Sequence, residues 1–113
     1  MTRGTIVLTP FPFTDLSSRK VRPAVVVSHS DRPGRDVVLA FITSRWAKPP
    51  LASDLLVPDT HPDFKQTGCK ASSVVKFDKL VTLDTSTVLG ELGQLSPALL
   101  QEAAGKLPYA LEL

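Results

Sequence analysis

The sequence predicts a mainly β protein of the small α+β kind, an antiparallel β-barrel with a C-terminal helix. Its apolar segments are short, and turn-forming residues separate them at close spacing, which is typical of small all-β folds. Helical periodicity is found in a segment near the C-terminus. With 113 residues, the chain is expected to form a single domain over residues 1–113.

The first half of the chain predicts three strands. Residues 5–9 form the first strand, which ends at the Pro-Phe-Pro segment 10–12 because proline cannot donate to a sheet ladder. Residues 24–27 are apolar and β-branched, and Pro23 before them indicates the edge of a sheet. Residues 37–42 are apolar on both faces, so this strand is expected to lie centrally.

The second half predicts shorter strands. They are expected at residues 55–57, 71–77, 80–83 and 88–92, which gives six or seven strands in total. The pair Asp78-Lys79 is interpreted as the turn between 71–77 and 80–83.

A helix is predicted to begin after Ser96, whose hydroxyl can cap the first turn, with Pro97 at the first helical position. Pro108 is expected to end or bend this helix. Residues 58–68 contain two prolines and a glycine and predict a long irregular loop. The apolar face of the helix is expected to consist of Leu99, Leu100, Ala103 and Leu107.

The charges are unevenly distributed along the chain. Residues 1–48 hold eight Lys and Arg against three Asp and Glu, whereas residues 49–113 hold five against eight. An anionic partner that meets the first half would explain this asymmetry, and a solvated surface would explain it equally well.

The chain is expected to be cytoplasmic. Its longest uninterrupted apolar run, residues 37–42, is far shorter than the roughly 20 residues that span a bilayer. The N-terminus lacks the apolar stretch of a signal peptide, and the single Cys69 cannot form an internal disulfide.

Several blocks of the sequence resemble the PemK/MazF toxins, in the order in which that family carries them. A Thr-Ser pair at 43–44 lies between the blocks, where the family has a Thr or Ser pair at the end of a strand. The blocks are GTIVLTPFPFTDL at 4–16, RPAVVVS at 22–28, TGCK at 67–70, SVVKFDKL at 73–80 and LGQLS at 92–96.

This resemblance implies an SH3-like barrel that forms a homodimer. It also implies a toxin of a type II toxin–antitoxin system, which cleaves single-stranded RNA selectively by sequence and is silenced by a cognate antitoxin protein. The family's reaction uses neither a metal nor a cofactor, and none is expected here.

The resemblance implies three catalytic residues. In metal-free cleavage the 2′-hydroxyl attacks the adjacent phosphate, so the protein supplies proton transfer and charge stabilisation. Arg22 matches the family's essential arginine, whose planar guanidinium suits the phosphate. Thr43 matches a functional threonine that can hydrogen-bond the phosphate, and Asp78 matches an acidic residue that can serve as the base. Considered without the family, each is typical of an ordinary strand end or turn.

Single-stranded RNA is gripped by cations along its backbone and by aromatic rings that stack on its bases. Lys76 stands where the better-known relatives have arginine, which keeps the charge but loses the bidentate geometry. The residues predicted to bind RNA are Arg19, Lys20, Ser44, Arg45, Trp46 and Lys76.

Histidine and metal chemistry are weaker interpretations. His29 and His61 are expected to be structural residues or to lie on the surface, which leaves the general acid unassigned. Asp59, His61 and Asp63 alternate as metal ligands can, but Pro62 interrupts them, so no metal site is predicted.

Two other functions fit the same sequence. A catalytically weak RNA-binding or antitoxin-binding module is suggested by Lys76 and by Pro108 in the last helix. A gyrase-directed toxin has the same fold, but such toxins lack the Arg22-Pro23 pair and depend on a tryptophan near the C-terminus, where this chain has Tyr109.

Overall fold

The computed structural model describes residues 1–10, 20–46 and 49–113. The strands are β1 (Thr5–Pro10), β2 (Val21–Val26), β3 (Asp36–Thr43), β4 (Asp54–Val57), β5 (Ser73–Asp84) and β6 (Gly90–Gln94). The helices are α1 (Pro97–Ala103) and α2 (Lys106–Ala110), and single 3₁₀ turns lie at Lys65–Thr67 and Thr85–Thr87.

These strands form one antiparallel sheet in the order β4-β5-β3-β2-β1-β6. The sheet curls into a half-barrel, and the register shifts between Ile6 and Val7 and between Ala40 and Phe41. Such irregularities bend a strand and increase its twist, which is how a short sheet curves. The predicted mainly β, barrel-type fold with helix at the C-terminus is therefore confirmed.

The two faces of the sheet bury separate apolar clusters because side chains alternate along each strand. One face packs against α1 through the buried Leu99 and Ala103, and α2 adds the partly buried Leu107 and Ala110. Among the described residues, the cluster on the second face includes none from a helix, and its buried members are Val7, Ala24, Val26, Val37, Leu39 and Phe41.

The strand pairing tests the predicted central position of β3 and the predicted sheet edge at Pro23. β3 lies between β2 and β5, as its apolar character on both faces predicts. The pairing of β2 with β3 covers Ala24–Val26 and leaves Pro23 beyond the paired portion. The predicted sheet edge at Pro23 is wrong for β2 as a whole, since β2 lies between β1 and β3 and Pro23 pairs with Leu8 on β1. Only its β3 side is open, where proline needs no N–H for the ladder.

The prediction of two strands joined by a turn at Asp78-Lys79 is wrong. β5 runs through both segments as one strand, and the irregularity is a bulge. Ala40 faces Leu80 whereas the next residue, Phe41, faces Lys76, so residues 77–79 are extra on the β5 side. The polar pair that resembled a turn is instead the part of β5 that bulges out of the ladder.

The C-terminal helix begins as predicted but breaks earlier. Ser96 Oγ accepts a hydrogen bond of 3.2 Å from Leu99 N–H, which caps α1. The break lies at residues 104–105, and Pro108 is the third residue of α2. In a first turn the missing N–H of proline leaves no hydrogen bond unmade, so Pro108 neither ends nor bends the helix.

Two of the sequence blocks meet backbone to backbone beside β6. Gly68 has a φ of 74°, and a Cβ there would overlap the carbonyl of Leu92. A Cβ at Gly93 would overlap the carbonyl of Gln66. Glycine is required at both positions because no side chain fits between these segments.

Candidate active site

The polar site lies where the second apolar face of the sheet ends. Phe41 on β3 faces Ala24 on β2 and Lys76 on β5, so these three side chains project from the same face. Arg22 and Thr43 lie two residues further along their strands and share that face. Phe41 is the last buried apolar residue before the polar ones begin.

A pocket of about 270 Å³ opens at this point. It brings together Arg22, Thr43 and Asp78, the three residues predicted to be catalytic, from strands β2, β3 and β5. Half-buried Trp46 and exposed Arg45 also line it. The described residues that line it are Arg22, Phe41, Ile42, Thr43, Arg45, Trp46, Lys76, Asp78 and Lys79.

A wider groove of about 560 Å³ adjoins the pocket and shares Arg22, Ile42, Thr43 and Arg45 with it. Lys20 and Ser44, both predicted RNA contacts, line this groove. Arg19, another predicted contact, lies outside the described residues. Lys70 also lines the groove. In the sequence, Lys70 is distinguished only as the last residue of the TGCK block.

The charge balance of both cavities favours an anion. Within the part of the chain that the structure describes, four basic side chains and one carboxylate, that of Asp78, line the pocket. Among the described residues that line the groove, four are basic and none is acidic. Clustered positive charge of this kind attracts a phosphate backbone and aligns it along the surface.

Arg22 is half-buried, and its Nη1 donates a 3.3 Å hydrogen bond to the carbonyl of Val21. Its Cα partner across the ladder is Thr9 on β1. The paired strand fixes the backbone of Arg22, so the guanidinium leaves the sheet from a rigid base.

Thr43 has a structural role in the turn after β3. Its hydroxyl donates to the carbonyl of Arg45 at 2.9 Å and accepts from the N–H of Arg45 at 3.1 Å. This contact holds the turn that presents Arg45 and Trp46 to the pocket. To donate to a phosphate, the hydroxyl of Thr43 must turn away from the carbonyl of Arg45. Its oxygen has a second lone pair with which it can accept a further hydrogen bond.

The ammonium of Lys76 is held by two carboxylates. It lies 2.8 Å from Oδ1 of Asp54 and 3.8 Å from Oδ1 of Asp78. Asp54 is 4% exposed, and its Oδ2 accepts from the N–H of Leu51 at 2.9 Å. The Lys76–Asp54 contact is an ion pair by distance, although its angles are not those of a good hydrogen bond. Asp54 belongs to none of the sequence blocks that resemble the family.

The two histidines are engaged outside the pocket. His61 Nδ1 accepts from the N–H of Asp63 at 3.0 Å, so its Nε2 is the atom that donates to Glu102 at 3.2 Å. Asp63 in turn accepts from Ser96 Oγ at 2.6 Å. These bonds tie the long loop to α1. His29 is exposed and accepts from a backbone N–H in its own turn.

Residues 1–10, 20–46 and 49–113 contain no group of three His, Cys, Asp or Glu side chains placed to hold a metal ion. Within the same residues, the helices are all too short to cross a bilayer.

Solved structures with the same fold are toxins and endoribonucleases. An endoribonuclease from a Mycobacterial species, in complex with its cognate antitoxin, has a TM-score of 0.76 at 20% identity and aligns over 100% of this chain and 96% of its own. The Mycobacterium tuberculosis toxin MazF-mt6 has a TM-score of 0.73 at 20% identity, over 96% and 97%. MazF from Deinococcus radiodurans has a TM-score of 0.72 at 25% identity, over 100% and 97%.

The fold is thus similar to that of the small MazF toxins. The chain belongs to the PemK-like, MazF-like toxins of type II toxin–antitoxin systems, whose family model matches residues 2–111. The family expected from the sequence blocks is confirmed. Among curated proteins, none matches this chain.

Proposed function

We propose that this toxin is a metal-independent, sequence-selective endoribonuclease that cleaves single-stranded RNA. The observation that carries the proposal is the meeting of Arg22, Thr43 and Asp78 in one cationic pocket on three strands. The activity is also named for relatives of the same fold, which are endoribonucleases at 20% and 22% identity.

The pocket suits cleavage by the substrate's own 2′-hydroxyl. That oxygen attacks the adjacent phosphorus and loses its proton, while the bond from phosphorus to the 5′-oxygen breaks and the 5′-oxygen gains a proton. Arg22 places a planar, permanently charged donor against the phosphate oxygens. Asp78 offers a carboxylate to take the proton from the 2′-hydroxyl. Thr43 offers its oxygen to orient the attacking hydroxyl.

The RNA backbone is proposed to run from the pocket into the adjoining groove. Arg45 lies on both, and Lys20 and Ser44 continue the polar surface on the groove side. Trp46 provides an aromatic face on which a base can stack. Lys76 belongs to the same surface, although its ammonium is already paired with Asp54. Arg19 is proposed to add to this grip.

The proposed protein partners are a second copy of the chain and a cognate antitoxin. MazE–MazF complexes are known from Deinococcus radiodurans, at 24% and 23% identity to this chain. An antitoxin segment that carries acidic side chains would find its complement in the cations of the pocket, and we place it over Arg22 and Thr43. Such a toxin would act in the cytoplasm, where its RNA substrate is.

The two rival functions are less well supported. Pro108 lies within a regular first turn, so it is no sign of a damaged helix. Lys76 keeps a positive charge beside Asp78. The family match and the assembled pocket both favour an active ribonuclease over a weak binding module or a gyrase-directed toxin.

The test is cleavage of a long single-stranded RNA in excess EDTA by the wild type and by Arg22→Ala. We expect discrete cuts that leave a 5′-hydroxyl, and a loss of at least about 100-fold in Arg22→Ala because a donor to the developing charge is removed. Arg32→Ala is the matched control, since Arg32 is exposed, forms a surface ion pair with Asp36 and does not line the pocket among the described residues. Intact RNA at high enzyme concentration would contradict the proposal.

A further inference from the structure

Asp54 is a buried carboxylate directly behind the proposed site. It is the first residue of β4 and faces Lys76 across the β4–β5 ladder. Its side chain is 2% exposed, whereas that of Lys76 is 15% exposed. The ladder therefore places one charged group of the pair in the interior and the other at the pocket wall.

Burial of an ion pair is a poor way to stabilise a fold. The desolvation of two charges offsets most of their attraction, and an apolar pair of the same volume often does as well. The next residue of β4 on the same face is apolar, since Leu56 follows two positions after Asp54 and carries no charge although it is 41% exposed. A carboxylate at position 54 is thus better explained by what it does to Lys76 than by what it adds to stability.

The pair fixes where the Lys76 ammonium can be. A lysine side chain on a flexible four-carbon stem would otherwise reach towards any phosphate in the pocket. Here its nitrogen lies 2.8 Å from Asp54 and 3.8 Å from Asp78, which itself is exposed to the pocket. One ammonium is shared between a carboxylate that anchors it and a carboxylate proposed to act in the reaction.

We propose that Asp54 is a positioning residue of the ribonuclease. It holds the Lys76 ammonium beside Asp78, so that Lys76 orients the carboxylate of Asp78 and does not grip the RNA backbone. The inference rests on the proposed function, and it assigns Lys76 a role in turnover that differs from a phosphate contact.

The test is a steady-state comparison of Asp54→Asn with the wild type on one RNA that carries a single cleavage site. Asparagine keeps the volume and the acceptor for Leu51 N–H but removes the charge that anchors Lys76. We expect kcat to fall roughly 10- to 100-fold, because a displaced catalytic group loses about that much. The KM for RNA should stay the same or fall, since the released ammonium can then reach a phosphate.

A double-mutant cycle with Lys76→Met separates positioning from a structural role. If Asp54 acts through Lys76, then Asp54→Asn/Lys76→Met has the same kcat as Lys76→Met alone, and Lys76→Arg stays within a few-fold of the wild type. If the fold-losses in kcat of the two single variants multiply in the double variant, the two residues act independently and the inference is overturned. A lowered melting temperature with unchanged kcat in Asp54→Asn would also overturn it.

The control variant is Asp36→Asn, which also breaks an ion pair on this sheet but at an exposed place outside the pocket. If Asp54→Asn does not fold, the Lys76 variants decide. A raised KM with unchanged kcat in Lys76→Met identifies a direct phosphate contact and refutes positioning, whereas a lowered kcat with unchanged KM supports it. An inert wild type would overturn the ribonuclease and the inference together; an active wild type matched by Asp54→Asn would overturn the inference alone.

Discussion

The two ends of the β3–β5 ladder carry charges in opposite ways. At one end Asp36 faces Asp84, and each carboxylate is satisfied within its own segment. Asp36 pairs with Arg32 at 3.0 Å, with both side chains more than 40% exposed. Asp84 Oδ1 accepts from the N–H of Ser86 at 2.8 Å and caps the turn Thr85–Thr87. These contacts span two to four residues.

At the other end the charges are satisfied only by the folded sheet. Asp54 and Lys76 are 22 residues apart in sequence and meet because β4 pairs with β5. Phe41 closes the apolar cluster, and the bulge at residues 77–79 places Asp78 at the opening. Charges that depend on long-range pairing are costly to keep, and this is the end where the pocket lies. The difference indicates which carboxylates serve the site and which only finish a strand.

The largest difference between the two ends is expected for glycine substitutions, because the backbone is tightly packed at only one of the two glycines compared. Gly68 lines the groove, has a φ of 74° and leaves no room for a Cβ beside Leu92. Gly34, in the turn before β3, has a φ of 94° but open space around it. Gly68→Ala is expected to lower the free energy of unfolding by about 3 kcal/mol or more, from overlap and from φ strain. Gly34→Ala should cost only about 1 kcal/mol, from strain alone.

Urea unfolding with a constant m-value measures both glycine variants. Equal losses in the two would mean that the groove wall can move away from a new methyl group, and the contrast between the ends would then not extend to the backbone.

Several strand and helix positions follow from the local sequence. Residues 37–42 are apolar on both faces and do form the centre of the sheet, and the hydroxyl of Ser96 does cap α1. These features depend on neighbours within a few positions. The bulge at residues 77–79 is different, because two polar residues between apolar runs suit a turn and a bulge equally well. Only the continuation of β3 opposite β5 decides between them.

The site divides in the same manner. Arg22 and Asp78 lie in the sequence blocks and Thr43 in the Thr-Ser pair between them, and the structure brings all three into one pocket. Asp54 carries no such signal, since an aspartate after Ala52-Ser53 resembles any loop end. Its burial is a consequence of the register between β4 and β5, which the local pattern does not contain. Lys70 reaches the groove through loop geometry that residue types do not specify.

Loss of the ion pair at one end of the ladder should lower the free energy of unfolding more than loss of the pair at the other end. Asp54→Ala leaves Lys76 without its anchor and Leu51 N–H without its acceptor, so we expect a loss of about 2–3 kcal/mol in the free energy of unfolding. Asp36→Ala removes an exposed pair and should cost no more than about 0.5 kcal/mol. Chemical denaturation compares the two variants directly. A small loss in Asp54→Ala would mean that water or a moved side chain replaces the carboxylate.

The smallest expected effect is a pH dependence at the exposed end. Hydrogen bonds from the backbone N–H and the side chain of Ser86 lower the pKa of Asp84 below its ordinary value of 3.8, with a further contribution from Arg35. A carboxyl whose pKa is lower in the folded state stabilises the fold above the unfolded pKa. That contribution is lost as the pH falls through the folded pKa.

Asp84→Asn should therefore have a slightly lower melting temperature than the wild type at neutral pH, and the difference should diminish as the pH falls through the lowered folded-state pKa of Asp84. Because Asp84 is fully exposed, solvent screening keeps the effect small, and added salt should reduce the Arg35 part of it. Melting curves of the two proteins between neutral pH and about pH 3 give the measurement. A difference that grew on acidification would show that the hydrogen bonds of Ser86 favour the protonated carboxyl. In that case the two ends of the ladder would be less distinct than their geometry indicates.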